Sequence, residues 1–234
     1  YKPLPTAHPV RPLNFPEIVN EEFDGPPVVV TFCPLCGSGM AFDAMIEGLK
    51  RTFGVSGLLY NSDVLLYDRQ SETLWSQILS EAVAGQLAGE KLEAIQTFNT
   101  SWKNWKDQYP KTVVLSTNTG FSKDYSRDPY PDYYDSDKVW FPVVNMSDAM
   151  HPKAKILGLE INGKYKAYPF SELQKSGGII RDSFNGEDLL IHYNKKEESA
   201  YITDADNKIM TTTTLFWFAW VAFHPDTEIY SIKN

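Results

Sequence analysis

Two distant stretches of this chain read as diverged copies of each other, which constrains the fold more than composition does. Residues Glu21–Cys33 line up with Asp182–Asn194, and each pairs a turn signal (Asp24-Gly25, Asn185-Gly186) with an apolar strand (Val28-Val29-Val30, Leu189-Leu190-Ile191). Residues Ser101–Thr112 then match Phe216–Thr227. In this second pair Trp102, Trp105 and Tyr109 fall at i, i+3 and i+7, and Trp217, Trp220 and His224 repeat the spacing, so both are expected to be helices. Ser/Thr residues precede each as N-caps, and Pro110 and Pro225 stop them. The first helix is polar on its other face and is expected on the surface; the second is apolar all round and is expected to be enclosed.

The expected fold class is therefore α+β and β-rich, with two diverged, pseudo-repeated halves, each strand-rich with a short Trp-bearing helix. At 234 residues and 42% apolar content the chain is long enough to bury a core without disulfides or structural metal. We expect one domain over residues 1–234, with halves at about 8–118 and 152–234. Residues 119–151 lack a clear period and are expected to be the joining loop. Short apolar runs between Leu49 and Gln77, broken by Ser-Gly, Asn-Ser-Asp and Arg-Gln-Ser-Glu, suggest a meander of three or four strands.

Composition also removes partners. With 22 Lys+Arg against 30 Asp+Glu the net charge is −8, which argues against a nucleic-acid partner. The longest apolar run, Leu215 to Phe223, is nine residues, far short of the roughly 20 that span a bilayer as a helix, so no membrane span is expected in this chain. Neither a phosphate loop nor a dinucleotide fingerprint occurs, so no nucleotide is expected.

Cys33 and Cys36 are the only cysteines, and their C-x-x-C spacing suits a redox dithiol, part of a metal site, or a structural pair. No second C-x-x-C or H-x-x-x-H supplies a structural zinc. A soft site for copper is easier to assemble, from Cys33, Cys36, Met40 and one imidazole, for which His224 is the candidate. The competing reading of His224 is a packed helix-end residue, because Tyr109 fills its place in the other copy. Asn61, Asp63, Asp68 and Arg69 read either as turn chemistry or as a ligand-binding cluster in which Asp68 orients Arg69 toward an anion. Asp124, Asp128, Asp132, Asp135 and Asp137 offer hard oxygens for calcium, a less favoured expectation than a solvated acidic loop with its Tyr rings packed down.

The segments Cys33-Pro34-Leu35-Cys36-Gly37-Ser38, Phe53-Gly54-Val55-Ser56-Gly57, Tyr67-Asp68-Arg69-Gln70, Ser126-Arg127-Asp128-Pro129-Tyr130 and Phe216-Trp217-Phe218-Ala219-Trp220 together resemble a prokaryotic family called domain of unknown function 3179. The chain departs from that pattern at Pro16, where members usually carry His. The resemblance implies export, so an extracytoplasmic location, periplasm or cell surface, is expected, with a leader absent from this chain that begins at Tyr1. It implies no settled activity. Three function classes follow: an exported soft-metal or thiol-redox protein, a Cys-dependent enzyme, and a structural or interaction module with a cell-surface or periplasmic protein partner.

Overall fold

The computed structural model describes residues 4–22, 25–176 and 178–232. Strand β1 (Thr6–Ala7) and the single turn α1 (Val10–Leu13) lead into the hairpin β2 (Ile18–Glu22) and β3 (Pro27–Cys33), extended by β4 (Ser38–Asp43). A short hairpin, β5 (Met45–Ile46) and β6 (Leu49–Lys50), precedes β7 (Phe53–Tyr60), β8 (Asp63–Asp68), β9 (Leu74–Ser76) and β10 (Glu81–Ala84). Next come β11 (Ala94–Ile95), α2 (Trp102–Gln108) and β12 (Val113–Val114). After the long connection follow β13 (Lys155–Ile161), β14 (Lys164–Pro169), α3 (Phe170–Leu173), β15 (Ile179–Phe184), β16 (Glu187–Asn194) and β17 (Ser199–Asp204). The order closes with β18 (Thr212–Phe216), α4 (Trp217–Phe223) and β19 (Glu228–Ile229).

With about 40% strand and 10% helix, the fold is β-rich with several sheets and short helices. The sheet order β11-β4-β3-β2 puts the Cys33 strand in a sheet interior, and β7, β8 and β9 form a meander within the broken apolar runs of Leu49–Gln77, with β10 added beyond them. The later strands form β18-β13-β14-β19 and β15-β16-β17. Phe23 and Asp24, at the first expected turn, lie outside the described residues.

Two sets of local geometry recur. In the first hairpin Ile18 pairs with Thr31 and Cys33 with Ser38; in the second Ile179 pairs with His192 and Asn194 with Ser199. Trp105 Nε1 donates to Thr112 Oγ1 and Trp220 Nε1 to Thr227 Oγ1, both at 2.8 Å, after helices of equal length. The strands that follow, β12 and β19, both pair in parallel, with β1 and β14.

The two helices sit in opposite surroundings. No residue of α2 is buried, whereas six of the seven in α4 are, as the polarity of their outer faces requires. Ser101 caps α2 by accepting from Asn104 N–H at 3.1 Å, as expected. The expected Ser/Thr cap of α4 is not found. Its N-cap residue is Phe216, and the N–H groups of Trp217 and Phe218 donate instead to the carbonyls of Ala154 (2.9 Å) and Pro152 (2.8 Å). An enclosed helix end has its free donors met by neighbouring backbone, so no capping side chain is required.

The larger apolar cluster draws on both ends of the chain, joining Val29, Phe42, Leu66 and Trp75 to Ile156, Leu215, Trp217 and Trp220. A second cluster, including Leu157, Tyr168, Leu173, Ile191 and Ile202, belongs to the later sheets. Trp220 lies against β13 so closely that a Cβ on Gly158 would stand 2.5 Å from its ring. Trp217 is 1% exposed and Trp102 48%. Trp217→Ala is therefore expected to cost about 3–5 kcal/mol, and Trp102→Ala about 1 kcal/mol or less, in urea denaturation monitored by circular dichroism.

Candidate functional site

The turn Cys33-Pro34-Leu35-Cys36 links β3 to β4 and is enclosed throughout. Gly37 makes the reversal at φ +62°, where a side chain is strained, and a Cβ there would also stand 2.9 Å from the Phe216 ring. Three parts of the chain fasten this turn. Phe216 N–H donates to Cys36 O at 2.8 Å, and Tyr133 Oη, from the long connection, donates to Leu35 O at 3.0 Å. Gln77, beyond β9, accepts from Ser38 Oγ at 2.6 Å and donates to Thr31 Oγ1 at 2.7 Å.

Into this enclosure the hairpin turn Asn61-Ser62 delivers Asp63, at the head of β8. Both turn residues have positive φ, 51° and 64°, the conformation that matches the twist of paired strands. Asn61 fixes the turn by accepting from Val144 N–H (2.9 Å) and donating to Ala222 O (3.3 Å). One ligand atom each of Cys33, Cys36 and Asp63 lies within 4.8 Å of the other two. All three residues are buried, Cys33 at 1% exposure and the others at 0%. Cys36 Sγ donates to Ser62 O at 3.4 Å and lies 3.8 Å from Asp63 Oδ1. Asp63 Oδ2 accepts from Ser76 Oγ (3.2 Å) and Ile78 N–H (3.0 Å). Ser62, beside them, keeps a buried hydroxyl that has no hydrogen-bond partner among the described residues.

Burial dominates the electrostatics. It raises the Asp63 carboxyl to about 7, against the lowering effect of its hydrogen bonds, foremost those from Ile78 and Ser76. Burial also pushes the Cys36 thiol well up, reinforced by Cys33 and Asp63. Without a cation Cys36 thus favours its neutral thiol; a bound cation releases protons and stabilises the ionised ligands.

The other expected ligands lie elsewhere or have other work. Met40 is buried in the same apolar cluster as both cysteines and pairs with Thr31 across β3–β4. His224 is not in the cysteine–carboxylate group. Its ring stacks on Tyr165 at 3.8 Å and 17° and lies 4.3 Å from Trp220, and burial lowers its pKa to about 4. That is the packed helix-end arrangement.

Asp68 does not orient Arg69. Asp68 pairs with Arg51 at 3.2 Å and closes its own turn by accepting from Ser71 N–H (2.7 Å) and Trp75 Nε1 (3.1 Å). Arg69 instead donates to Phe53 O and lies over Tyr67. Asp68 is buried at the end of β8, and Arg69, the first turn residue beyond it, is exposed. Burial raises the Asp68 carboxyl, but the Ser71 and Trp75 hydrogen bonds and Arg51 outweigh it and leave its pKa below the ordinary value.

Asp124, Asp128, Asp132, Asp135 and Asp137 are all exposed. Asp124 accepts from Ser126 N–H, Asp128 from Tyr130 N–H, and Asp137 contacts His151. Tyr133 of the same loop is wholly buried, as expected for rings packed down.

Sequence reasoning put Asp63 in a different cluster and overlooked Tyr133, Ser76 and Gln77 as the site's supports. The usable signal was an acid heading an otherwise apolar strand, Val64-Leu65-Leu66. Such an acid, if buried, needs polar partners from another element.

A family model described as "Protein of unknown function (DUF3179)" matches residues 3–227. No curated protein and no solved structure matches the chain.

The raised carboxyls have a signed consequence for stability. Asp63 favours the fold most when protonated, so its contribution is full below about pH 4 and is lost as pH rises through about 7. Glu17, raised to about 7 by burial, acts in the same direction. His224 acts oppositely: its contribution is present above about 6.5 and is lost as pH falls through about 4. Asp63→Asn is therefore expected to gain on the parent chain as pH rises from about 4.5 to about 8, read from urea midpoints of both proteins at each pH.

Proposed function

Since the chain belongs to the DUF3179 family, whose description names no activity, we propose a function from its buried site: it holds a thiophilic metal ion, copper(I), on Cys33 and Cys36, with Asp63 as third donor. The observation that carries this reading is the convergence of two thiols and a carboxyl within 4.8 Å in a wholly enclosed space. Calcium and magnesium take about six or more oxygen ligands, and this group offers one carboxylate and two sulfurs. Structural zinc asks for four donors. Copper(I) is satisfied by two or three, with thiolates preferred. The unpartnered Ser62 hydroxyl adds a further polar atom beside the group. An extracytoplasmic location, which the family resemblance implies, is part of the proposal, and the burial of both cysteines is compatible with free thiols there. Delivery to so enclosed a site would call for a protein partner in the same compartment.

A second reading rests on the 3.8 Å approach of Cys36 Sγ to Asp63. In it the two thiols give two electrons and two protons to an external disulfide, which is reduced to two thiols as the Cys33–Cys36 bond forms. Asp63 takes the Cys36 proton before passing it on.

We also propose that the halves descend from a duplicated unit, which the matched hairpin registers and the two Trp-to-Thr bonds support. In the later copy Asn194 and Glu197 stand where Cys33 and Cys36 stand in the first. The thiol chemistry is then confined to one half.

The test is uptake of copper(I) by protein purified in reductant, in competition with a colorimetric copper(I) chelator. One equivalent is expected, with Cys33→Ser and Cys36→Ser each weakening binding about 100-fold or more, and His224→Tyr leaving it unchanged. No stoichiometric uptake, or full uptake by Cys33→Ser, overturns the metal reading. Loss of two titratable thiols to glutathione disulfide without metal uptake favours the second.

A further inference from the structure

A groove of about 420 Å³ lies between α2 and the strands β16 and β17, in the part of the molecule that carries no cysteine. Its size is within the range of small-ligand sites. Phe98, Trp105, Tyr109, His192, Tyr193 and Tyr201 supply its aromatic surface, and all six are half-buried. Asn99, Asn104, Gln108 and Asn194 bring carboxamides to the same groove. Among the described residues no Asp, Glu, Lys or Arg lines it. Burial also holds the His192 imidazole below its ordinary pKa, so this ring adds no charge near neutral pH.

These features narrow the ligand. A phosphate or carboxylate would find no cation in the lining. A purely apolar ligand would strip water from four carboxamides without replacing their hydrogen bonds, at a loss for each. A flat base inserted between rings would find no slot between His192 and Tyr201, which already stack on each other at 4.4 Å and 5°. A sugar ring satisfies both halves of the surface: its C–H face lies on an aromatic ring, and its neighbouring hydroxyls match the paired donor and acceptor of a carboxamide.

The groove is also built before a ligand arrives. Trp105 Nε1 is held by Thr112 at 2.8 Å, and its ring lies 4.3 Å from Tyr109 and 6.4 Å from Phe98. Asn104 Nδ2 is turned to Thr100 Oγ1, and Asn194 Oδ1 accepts from the N–H groups of Lys196 and Glu197. Among the described residues no hydrogen bond engages the side chains of Asn99 or Gln108, which leaves both for a ligand. Fixed rings lower the ordering cost of binding.

We infer that this groove binds a neutral pyranose saccharide. Trp105 and Tyr109 supply the stacking surface, and Gln108 and Asn99 bond the hydroxyls. This activity does not depend on the metal site.

The test is isothermal titration with three neutral probes, cellotriose, maltotriose and chitotriose, and with trigalacturonic acid as the charged control. At least one neutral probe is expected to bind saturably, and more tightly than the acid. Trp105→Ala is expected to weaken it about tenfold or more, equivalent to about 1.4 kcal/mol. Gln108→Ala changes an exposed side chain and is expected to weaken binding about threefold with the thermal midpoint unchanged; it decides the matter if Trp105→Ala does not fold. Cys33→Ser is expected to bind the saccharide as the parent does. The inference is overturned if no neutral probe binds at millimolar concentration, if the acid binds as tightly, or if binding is unchanged in Gln108→Ala and in any folded Trp105→Ala.

Discussion

The carboxyl of Asp63 is fully buried, and much of the surrounding structure follows from meeting its needs within the chain. Ser76 and Ile78 donate to one oxygen, and Cys36 approaches the other. For those groups to coincide, the β8–β9 strands must bring their polar positions against the β3–β4 turn. Gln77 couples the two by bridging Thr31 and Ser38. An unpaired polar group at such depth costs more than a hydrogen bond normally returns, so the network holds the enclosure in one arrangement. Phe216 and Tyr133 close it from the distant parts of the chain by binding the turn's carbonyls.

What the sequence discloses follows from how local each signal is. The helices α2 and α4 are legible because indole side chains at i and i+3 mark one face, and their different burial is legible from the opposite face. The meander is legible from turn residues that interrupt short apolar runs. The cap of α4 is not, since its partners are backbone carbonyls from Pro152 and Ala154. Among site residues, Cys33 and Cys36 announce themselves by spacing. Asp63 is visible only as an acid beside a turn, because its relation to Cys36 is a tertiary contact across separate sheets. The same limit explains Asp68: its neighbour in sequence is Arg69, but its partner in space is Arg51.

The two ends of the chain use similar hairpins to different effect. Around Cys33 the hairpin is covered by Phe216, Tyr133 and the apolar α4, and its buried polar groups gather in the Asp63 and Gln77 networks. Around Asn194 the neighbouring helix is the polar α2, and an aromatic groove stays open to solvent. One change, the polarity of the helix that lies over the hairpin, accounts for a closed site in one place and an open one in the other.

The ligand set itself separates this account from its rivals. The copper K-edge X-ray absorption spectrum of protein loaded with one equivalent of copper(I) reports the atoms around the ion. Cys33, Cys36 and Asp63 predict two sulfur scatterers and one light oxygen scatterer, with no imidazole multiple-scattering pattern. An imidazole signature, which would bring in His224, or a third sulfur, which would bring in Met40, contradicts it.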